Sequence, residues 1–241
     1  MRRLVLFDID GTLLSTNGAA RRAFERGLLE VYGVTGPLAT HSFDGKTDPQ
    51  IARELLSLAG LGNPEIEAGF SRLWIVYLHE LTRELAAPGH TTTLYPGVLA
   101  LLAALQRQSD LCIALLTGNI ARGATLKLES AGIDHYFAFG AFGSDCEQRN
   151  GLPAIAVERA QARTGRVFRG HEVVVIGDTP QDVSCGEALG VFTLAVATGR
   201  HSRTALLDAG AHVVLDDLAD TARVVHWLVS APTLDPGLAR S

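Results

Sequence analysis

Short apolar runs recur along this chain, and most of them end in glycine or in polar residues. The first run, residues 4–7, ends at Asp8, and the run at 111–116 ends at Thr117. Apolar runs of this length predict strands that are buried on both faces, as in parallel sheets. Segments with helical spacing separate them, and this alternation predicts an α/β fold with a mainly parallel sheet. The predicted strands are 4–7, 111–116, 173–176, 191–196 and 213–215, with 136–139 as a weaker candidate.

Residues 15–93 break the alternation, because they carry three helical patterns and no convincing strand. Apolar residues recur at helical spacing over 20–31 and again over 66–85. Between these stretches, residues 47–50 have the pattern of a helix N-terminus. We therefore predict an all-helical insertion whose return connection lies at 88–96. The predicted division is an α/β core at 1–14 and 94–230, the helical insertion at 15–93, and a flexible tail at 231–241.

The composition excludes several classes of protein. Apolar residues make up 47% and charged residues 20% of the chain, so we expect a packed core and no global disorder. A net charge of −5 gives no general footprint for nucleic acid. No window approaches the ~18 uncharged apolar residues of a membrane span. With three cysteines and no CxxC spacing, we expect a reducing compartment and a cytoplasmic protein. We expect a monomer or a homodimer.

Carboxylates follow two of the predicted strands. Asp8 and Asp10 follow the first strand, and Asp178 follows the strand at 173–176, with Asp182 at the start of the next helix. Because the carboxyl ends of parallel strands share one edge of a sheet, we expect these side chains to converge. Converging carboxylates repel each other unless a cation lies between them, and oxygen ligands favour Mg²⁺. The sequence therefore predicts a magnesium site.

The same edge is suited to phosphoryl transfer. Asp8 and Asp10 lie two residues apart and face the same side of a regular strand. One carboxylate can attack a phosphoryl group while the other handles the proton of the leaving group. Thr117, the backbone N–H of Gly118 and a helix capped by Asn119 would form a cradle for an anion. A Mg²⁺ ion and a cationic side chain would neutralise the charge that develops on the phosphoryl group.

Three segments resemble signatures of the haloacid dehalogenase superfamily of phosphotransferases. They are FDIDGTL at 7–13, LTGN at 116–119 and GDTPQD at 177–182, which are similar to its first, second and fourth signatures. The helical insertion resembles the small cap of that superfamily, and the phosphoglycolate-phosphatase-type branch is the most similar. The resemblance implies a Rossmann-like parallel sheet core with an inserted helical cap. It also implies Mg²⁺-dependent hydrolysis of a small phosphorylated metabolite, with phosphoglycolate as the leading candidate.

The resemblance implies a role for each motif residue. Asp8 would be the nucleophile and a metal ligand. Asp10 would be the general acid and base, and its backbone carbonyl would bind the metal. Thr117 would bind the transferring phosphoryl group. Asp178 would complete the metal site, and Asp182 would support that site without binding the ion directly.

The third signature departs from the pattern of the superfamily. A lysine usually lies between the second and fourth signatures, but the matching stretch at 147–153 contains Arg149. We predict that Arg149 takes the catalytic cationic role, with a different reach and geometry. Lys127 is the alternative, but it lies inside a predicted helix and is expected to be badly aimed. In the insertion, Lys46 follows a predicted turn and would contact an anionic leaving group when the cap closes.

Two other functions stay open. A sugar phosphomutase of the same architecture would keep Asp8 and Asp10 but return the phosphoryl group to its substrate. A non-catalytic phosphate-binding regulatory module would be expected to have lost an acidic motif residue, and none is missing. Hydrolytic dehalogenation is disfavoured, because that branch lacks the second acid. Phosphonate cleavage would need a lysine in the cap, for which Lys46 is the only candidate.

Overall fold

A parallel sheet of six strands lies at the centre of the protein. The computed structural model describes residues 3–230, and it confirms the predicted α/β fold. The described strands are β1 (Arg3–Phe7), β2 (Leu14–Ser15), β3 (Thr93–Leu94), β4 (Leu111–Thr117), β5 (Gly140–Phe142), β6 (Val173–Gly177), β7 (Phe192–Val196) and β8 (Val213–Leu215). Strands β2 and β3 form a separate antiparallel pair, and the sheet has the order β5-β4-β1-β6-β7-β8.

Helices cover both faces of this sheet. The described helices are α1 (Ala19–Tyr32), α2 (Asp48–Leu58), α3 (Asn63–Leu85), α4 (Val98–Gln106), α5 (Ala121–Ser130), α6 (Leu152–Thr164), α7 (Pro180–Cys185), α8 (Arg203–Asp208) and α9 (Thr221–Ser230). Helices α4, α5 and α9 pack on one face, against Val5 and Phe7 of β1. Helices α6, α7 and α8 pack on the other, where Leu4 and Leu6 point. Because both faces are covered, the strands are continuously apolar.

The strand order reverses at β1. This strand pairs with β4 on one side and with β6 on the other, and both pairings are parallel. The carboxyl ends of the three strands therefore meet where open α/β sheets bind their ligands. They carry Asp8, Thr117 and Asp178, respectively.

Two details of the predicted strands are wrong. Residues 136–139 do not form a strand, because Asp134–Tyr136 is a 3-10 turn and β5 begins at Gly140. The aromatic residues that suggested a strand there, Tyr136 and Phe137, pack against the apolar core from this turn and its end. Strands β2 and β3 were not predicted, because two residues are too few to show a periodicity.

Helices α1, α2 and α3 lie between β2 and β3 in the chain and share an apolar cluster. It contains Phe24 of α1, Leu55 of α2 and Tyr77 of α3. Helix α2 begins as the sequence predicts, since the hydroxyl of Thr47 accepts a hydrogen bond from the backbone N–H of Gln50 at 3.2 Å. We call these three helices the cap; that they form a domain of their own stays a prediction.

The sequence predicts no membrane-spanning segment and a flexible tail. Within residues 3–230, each helix is too short or too polar to cross a bilayer. The predicted tail at 231–241 lies outside the described residues.

The cap cluster gives a prediction about stability. Phe24 is 2% exposed, and its ring lies 5.7 Å from that of Phe43 and 5.5 Å from that of Tyr77. We expect Phe24→Ala to lower the free energy of unfolding by about 3–5 kcal/mol, because the lost contacts leave a cavity. Leu29 lies on the same helix and is 49% exposed, so Leu29→Ala should cost less than about 0.5 kcal/mol. Urea unfolding measures both, and equal losses would contradict the assignment of Phe24 to the cap cluster.

Candidate active site

Arg149 lies between two buried aspartates at the centre of the site. Its Nη2 lies 3.1 Å from Oδ1 of Asp8 and donates a short hydrogen bond to Oδ1 of Asp182. All three residues are buried: Arg149 and Asp8 are each 6% exposed, and Asp182 is 2% exposed. A 3-10 turn, Arg149–Gly151, brings the arginine to the carboxyl end of β1 just ahead of α6. The structure therefore places Arg149 beside the predicted nucleophile, and its catalytic role stays a prediction.

The charges of this group perturb one another. Burial raises the pKa of Asp8 to about 7; Arg149 opposes this, and Asp182 and Asp10 add to it. Burial also raises the pKa of Asp178, to about 9, with further contributions from Asp182 and Asp8. Burial alone would lower the pKa of Arg149, but the charges of Asp182 and Asp8 outweigh it and hold that pKa above its ordinary value. One guanidinium thus faces several carboxylates, and further positive charge is favoured here.

Asp178 is held close to the loop that follows β1. The hydroxyl of Thr12 donates a hydrogen bond to Oδ1 of Asp178 at 3.1 Å. Gly11 has a φ of 83°, and a Cβ on it would lie 2.2 Å from Oδ2 of Asp178. A side chain at position 11 would therefore be strained and would push Asp178 away.

Asp182 has two functions in the structure. Its Oδ2 accepts hydrogen bonds from the backbone N–H and the hydroxyl of Thr179, at 3.0 and 2.6 Å, which completes a capping box at the start of α7. Its Oδ1 binds Arg149. Asp182 therefore caps a helix and also fixes the guanidinium against Asp8.

The donor set of the site fits a magnesium ion. Asp8, Asp178 and Asp182 each offer a buried carboxylate oxygen, and the three atoms lie within 4.8 Å of one another. Hard oxygen ligands without histidine or cysteine suit Mg²⁺. Because Thr179 and Arg149 already use the oxygens of Asp182, Asp8 and Asp178 are the better direct ligands.

The residues after β4 gather around Asp10. The side-chain amide of Asn119 donates to Oδ2 of Asp10 and to the hydroxyl of Thr117, both at 2.7 Å. Thr117 is fully buried and Asn119 is 5% exposed. The structure thus brings together Thr117, Asn119 and the second acid, as the sequence predicts, and Gly118 lines the same cavity.

The predicted capping role of Asn119 is wrong. Helix α5 begins at Ala121, and its N-cap residue is Ile120, whose side chain cannot cap it. The backbone N–H of Ile120 donates instead to Oδ2 of Asp48 at 2.8 Å, and that of Ala121 donates to Ser144 at 3.1 Å. Side chains of the protein therefore use both of these amides. That Thr117 and the backbone N–H of Gly118 bind an anion stays a prediction.

The expectation that Lys127 is badly aimed is also wrong. Its Nζ donates to both carboxylate oxygens of Asp10, at 2.8 and 2.7 Å, and its side chain is 5% exposed. Helix α5 turns the face that carries Lys127 towards the site. The small or apolar residues Gly123, Ala124 and Leu128 lie on the same buried face as Lys127. This pattern could have indicated that Lys127 points inward, but only if the residue at which α5 begins had been known.

The cap covers the site and contacts the segment after β4. The backbone N–H of Asp48 donates to the carbonyl of Gly118 at 2.8 Å. A Cβ on Gly118 would lie 2.0 Å from the carbonyl oxygen of Lys46, so the approach needs glycine. Arg53 of α2 binds Glu147 through both carboxylate oxygens, at 2.7 and 3.0 Å. The structure is therefore closed, with a cavity of about 400 Å³ between cap and core.

Two cations of the cap line this cavity. Lys46 is one of them, and its ammonium is paired with Glu54 of the cap; its contact with a leaving group stays a prediction. Arg21, which sequence reasoning missed, stacks over the ring of Phe43 at 4.5 Å and donates to the carbonyl of Leu38. Among the described residues, no carboxylate pairs with Arg21. Its position in an ordinary amphipathic helix gave no signal.

Comparison with known proteins agrees with this geometry. The family model of the haloacid dehalogenase-like hydrolases matches residues 2–190. A phosphoglycolate phosphatase of Pseudomonas fluorescens is 26% identical over 219 residues, which are 90% of this chain and 77% of the relative. One of Rhodospirillum rubrum is 28% identical over 242 residues, covering 95% of this chain and 91% of the relative.

A solved structure shows the same fold. It is a protein of Bacteroides vulgatus that was proposed to be a β-phosphoglucomutase, and it matches with a TM-score of 0.68 and 20% identity. The match covers 95% of this chain and 89% of that protein. At this identity the likeness supports the fold alone.

The raised pKa of Asp178 gives a prediction about pH. Burial and the charges of Asp182 and Asp8 raise the pKa of this carboxyl to about 9 in the folded protein, whereas the pKa of an unperturbed aspartate is about 3.9. Between these two pKa values the folded state binds more protons than the unfolded state. Without metal, the free energy of unfolding of the wild type therefore falls as the pH rises. The Asp178→Asn variant lacks this titration, and its free energy of unfolding should gain on that of the wild type between pH 5 and pH 9.

Urea unfolding in a metal-free buffer with chelator measures this difference. Asp216→Asn is the control, because the side chain of Asp216 is 82% exposed and lies outside the site; this variant should follow the wild type at each pH. A constant difference between Asp178→Asn and the wild type would show that Asp178 does not titrate in this window.

Proposed function

The chain belongs to the haloacid dehalogenase-like hydrolase family, and we propose that it is a Mg²⁺-dependent phosphatase of a small phosphorylated metabolite. The observation that carries this proposal is the position of Asp8, which Arg149 binds at 3.1 Å within a buried acidic cluster next to Asp10. This family and its three signatures were predicted from the sequence, and the family is confirmed. The activity, the roles of the site residues, a cytoplasmic location and the oligomeric state stay proposals.

The chemistry proceeds through two displacements at phosphorus. An oxygen of Asp8 attacks the phosphoryl group, the ester bond breaks, and Asp10 gives a proton to the departing oxygen. A water molecule then attacks the aspartyl phosphate and gives a proton to Asp10, which releases inorganic phosphate and restores Asp8. Thr117 and Arg149 bind the phosphoryl oxygens, whose charge the guanidinium neutralises.

The magnesium ion would be held by Asp8, Asp178 and the backbone carbonyl of Asp10. When bound, it supplies positive charge to the phosphoryl oxygens and to the clustered carboxylates. Asp182 contributes by fixing Arg149, since one oxygen of its carboxylate binds the guanidinium while the other caps α7.

The cap would select the leaving group. Arg21 lines the cavity and has no carboxylate partner among the described residues, so it is available to an anionic group on the substrate. A carboxylate on the leaving group fits this position, as in phosphoglycolate, and the names of the relatives support the same substrate class. The closed cap would also keep bulk water away from the aspartyl phosphate.

A sugar phosphomutase is the second candidate. The closed cavity favours it, because it could retain a phosphorylated intermediate. A mutase would keep the roles of Asp8 and Asp10 and would require a bisphosphate activator. The phosphatase proposal expects release of phosphate without such an activator.

Removing the nucleophile tests the proposed chemistry. We expect Mg²⁺-dependent phosphate release from at least one member of a panel containing phosphoglycolate, sugar phosphates, nucleoside monophosphates, pyrophosphate and an aryl phosphate. Asp8→Asn should lower this release roughly 10³-fold or more, because an amide cannot form the aspartyl phosphate. Asp216→Asn is the matched control and should keep full activity. Substantial turnover by pure Asp8→Asn protein would sink the assignment of the nucleophile.

Metal binding has a test that needs no turnover. We expect Mg²⁺ to raise the midpoint of thermal unfolding of the wild type, because a ligand that binds only the folded state stabilises it. Asp178→Asn should lose most of this shift, and Asp216→Asn should keep it. Differential scanning fluorimetry with increasing Mg²⁺ measures the shifts; equal shifts in the wild type and Asp178→Asn would place the ion elsewhere.

A further inference from the structure

Lys127 carries a buried positive charge that the mechanism above does not use. Its side chain is 5% exposed and extends from α5, beneath the cap, to the carboxylate of Asp10. A buried ammonium group is costly unless it is paired and hydrogen-bonded. Asp10 satisfies it with both oxygens, at 2.8 and 2.7 Å. The pair is therefore expected to be a fixed feature of the folded protein.

The same contacts fix the orientation of Asp10. Its side chain is 44% exposed towards the cavity, so packing alone leaves it free to rotate. Lys127 binds both of its oxygens, and the amide of Asn119 binds Oδ2 at 2.7 Å. All three hydrogen bonds come from the segment after β4, whereas Asp10 belongs to the loop after β1. The direction of the carboxylate is thus set by a different part of the chain.

We propose that Lys127 is a positioning residue for Asp10 and holds its carboxylate where it can accept a proton from the water that attacks the aspartyl phosphate. The proposal rests on the proposed phosphatase function. It gives the two buried cations different roles, since Arg149 binds the proposed nucleophile Asp8 and Lys127 binds the proposed acid and base Asp10. Lys127 is not required to touch the substrate.

The cap residue Asp48 is the competing partner. It lies near enough for the charge of Lys127 to act on it: burial raises the pKa of Asp48 to about 6, and Lys127 opposes this. Its Oδ2 is bound to the backbone N–H of Ile120 at 2.8 Å. If Lys127 served mainly to hold the cap through Asp48, its removal would have the same effect whether or not Asp10 is present.

A double-mutant cycle in turnover separates these roles. The four proteins are the wild type, Lys127→Met, Asp10→Ala and the double variant, assayed with Mg²⁺ and an aryl phosphate. Its leaving group departs with little acid catalysis, so kcat reports the step in which Asp10 accepts a proton from water. We expect Lys127→Met to lower kcat about tenfold or more, with KM changed less than about threefold, since positioned proton transfer contributes 10²–10⁴-fold. In the Asp10→Ala background the same substitution should change kcat less than about twofold, because its target is gone.

Two further variants complete the kinetic test. Lys127→Arg should recover part of the lost kcat, because it keeps a charged donor near Asp10. Arg122→Met removes a charge from the exposed face of the same helix and should behave as the wild type. An equal loss of kcat with and without Asp10, or a rise in KM alone, would overturn the proposal in favour of cap docking or of substrate binding.

A second cycle uses stability and needs no turnover. Asp10→Ala leaves the buried ammonium of Lys127 without its partner and should lower the urea midpoint of unfolding. Lys127→Met in that background should raise the midpoint again, whereas in the wild type it should not. Identical shifts in the two backgrounds would refute the pair. If the pair is present but the wild type releases no phosphate from any substrate, the proposed function fails, and with it the catalytic part of this proposal.

Discussion

The charge compensation of Asp8 by Arg149 is the interaction on which the site depends. Buried carboxylates are unfavourable without a partner, and this site places Asp8, Asp178 and Asp182 within 4.8 Å of one another. The guanidinium of Arg149 binds Asp8 and Asp182 and leaves Asp178 without a cationic partner of its own among the described residues. Such a cluster is tolerated because it lies at the reversal of strand order, where three strand ends leave an opening in an otherwise apolar core.

The sequence predicts those parts of the protein that depend on local pattern. Buried parallel strands are apolar on both faces, so β1, β4, β6, β7 and β8 are visible as short runs. Asp8 and Asp178 follow directly from such runs, and their meeting at one edge is a consequence of parallel pairing. Arg149 could be named as the candidate cation because the superfamily carries its cationic residue between the motifs at 116–119 and 177–182. The family followed from the same motifs.

The parts that were missed depend on tertiary contacts. Whether Lys127 points to the site or away from it is decided by where α5 starts and by how the helix lies on the sheet. Asn119 has a good capping side chain, but its amide nitrogen donates to Asp10 and Thr117 and helix α5 begins only at Ala121. Arg21 lies in an ordinary amphipathic helix, and only the position of the cap shows that it lines the cavity. Tyr136 has the local pattern of a strand, and only the packing of the core shows that it lies in a turn.

The contact between the cap and the loop after β4 has a consequence for how such an enzyme diversifies. Asp48 binds the backbone at Gly118 and at Ile120, on either side of Asn119, so a cap helix takes part in shaping the loop whose Asn119 binds Asp10. Exchanging the cap is therefore not a neutral change of specificity. A transplanted cap would have to bring its own aspartate at the start of α2, or the loop would lose its shape. Substitutions in the cavity wall around Arg21 and Phe43 would change the substrate more easily, because they leave the contact of Asp48 with Gly118 and Ile120 intact.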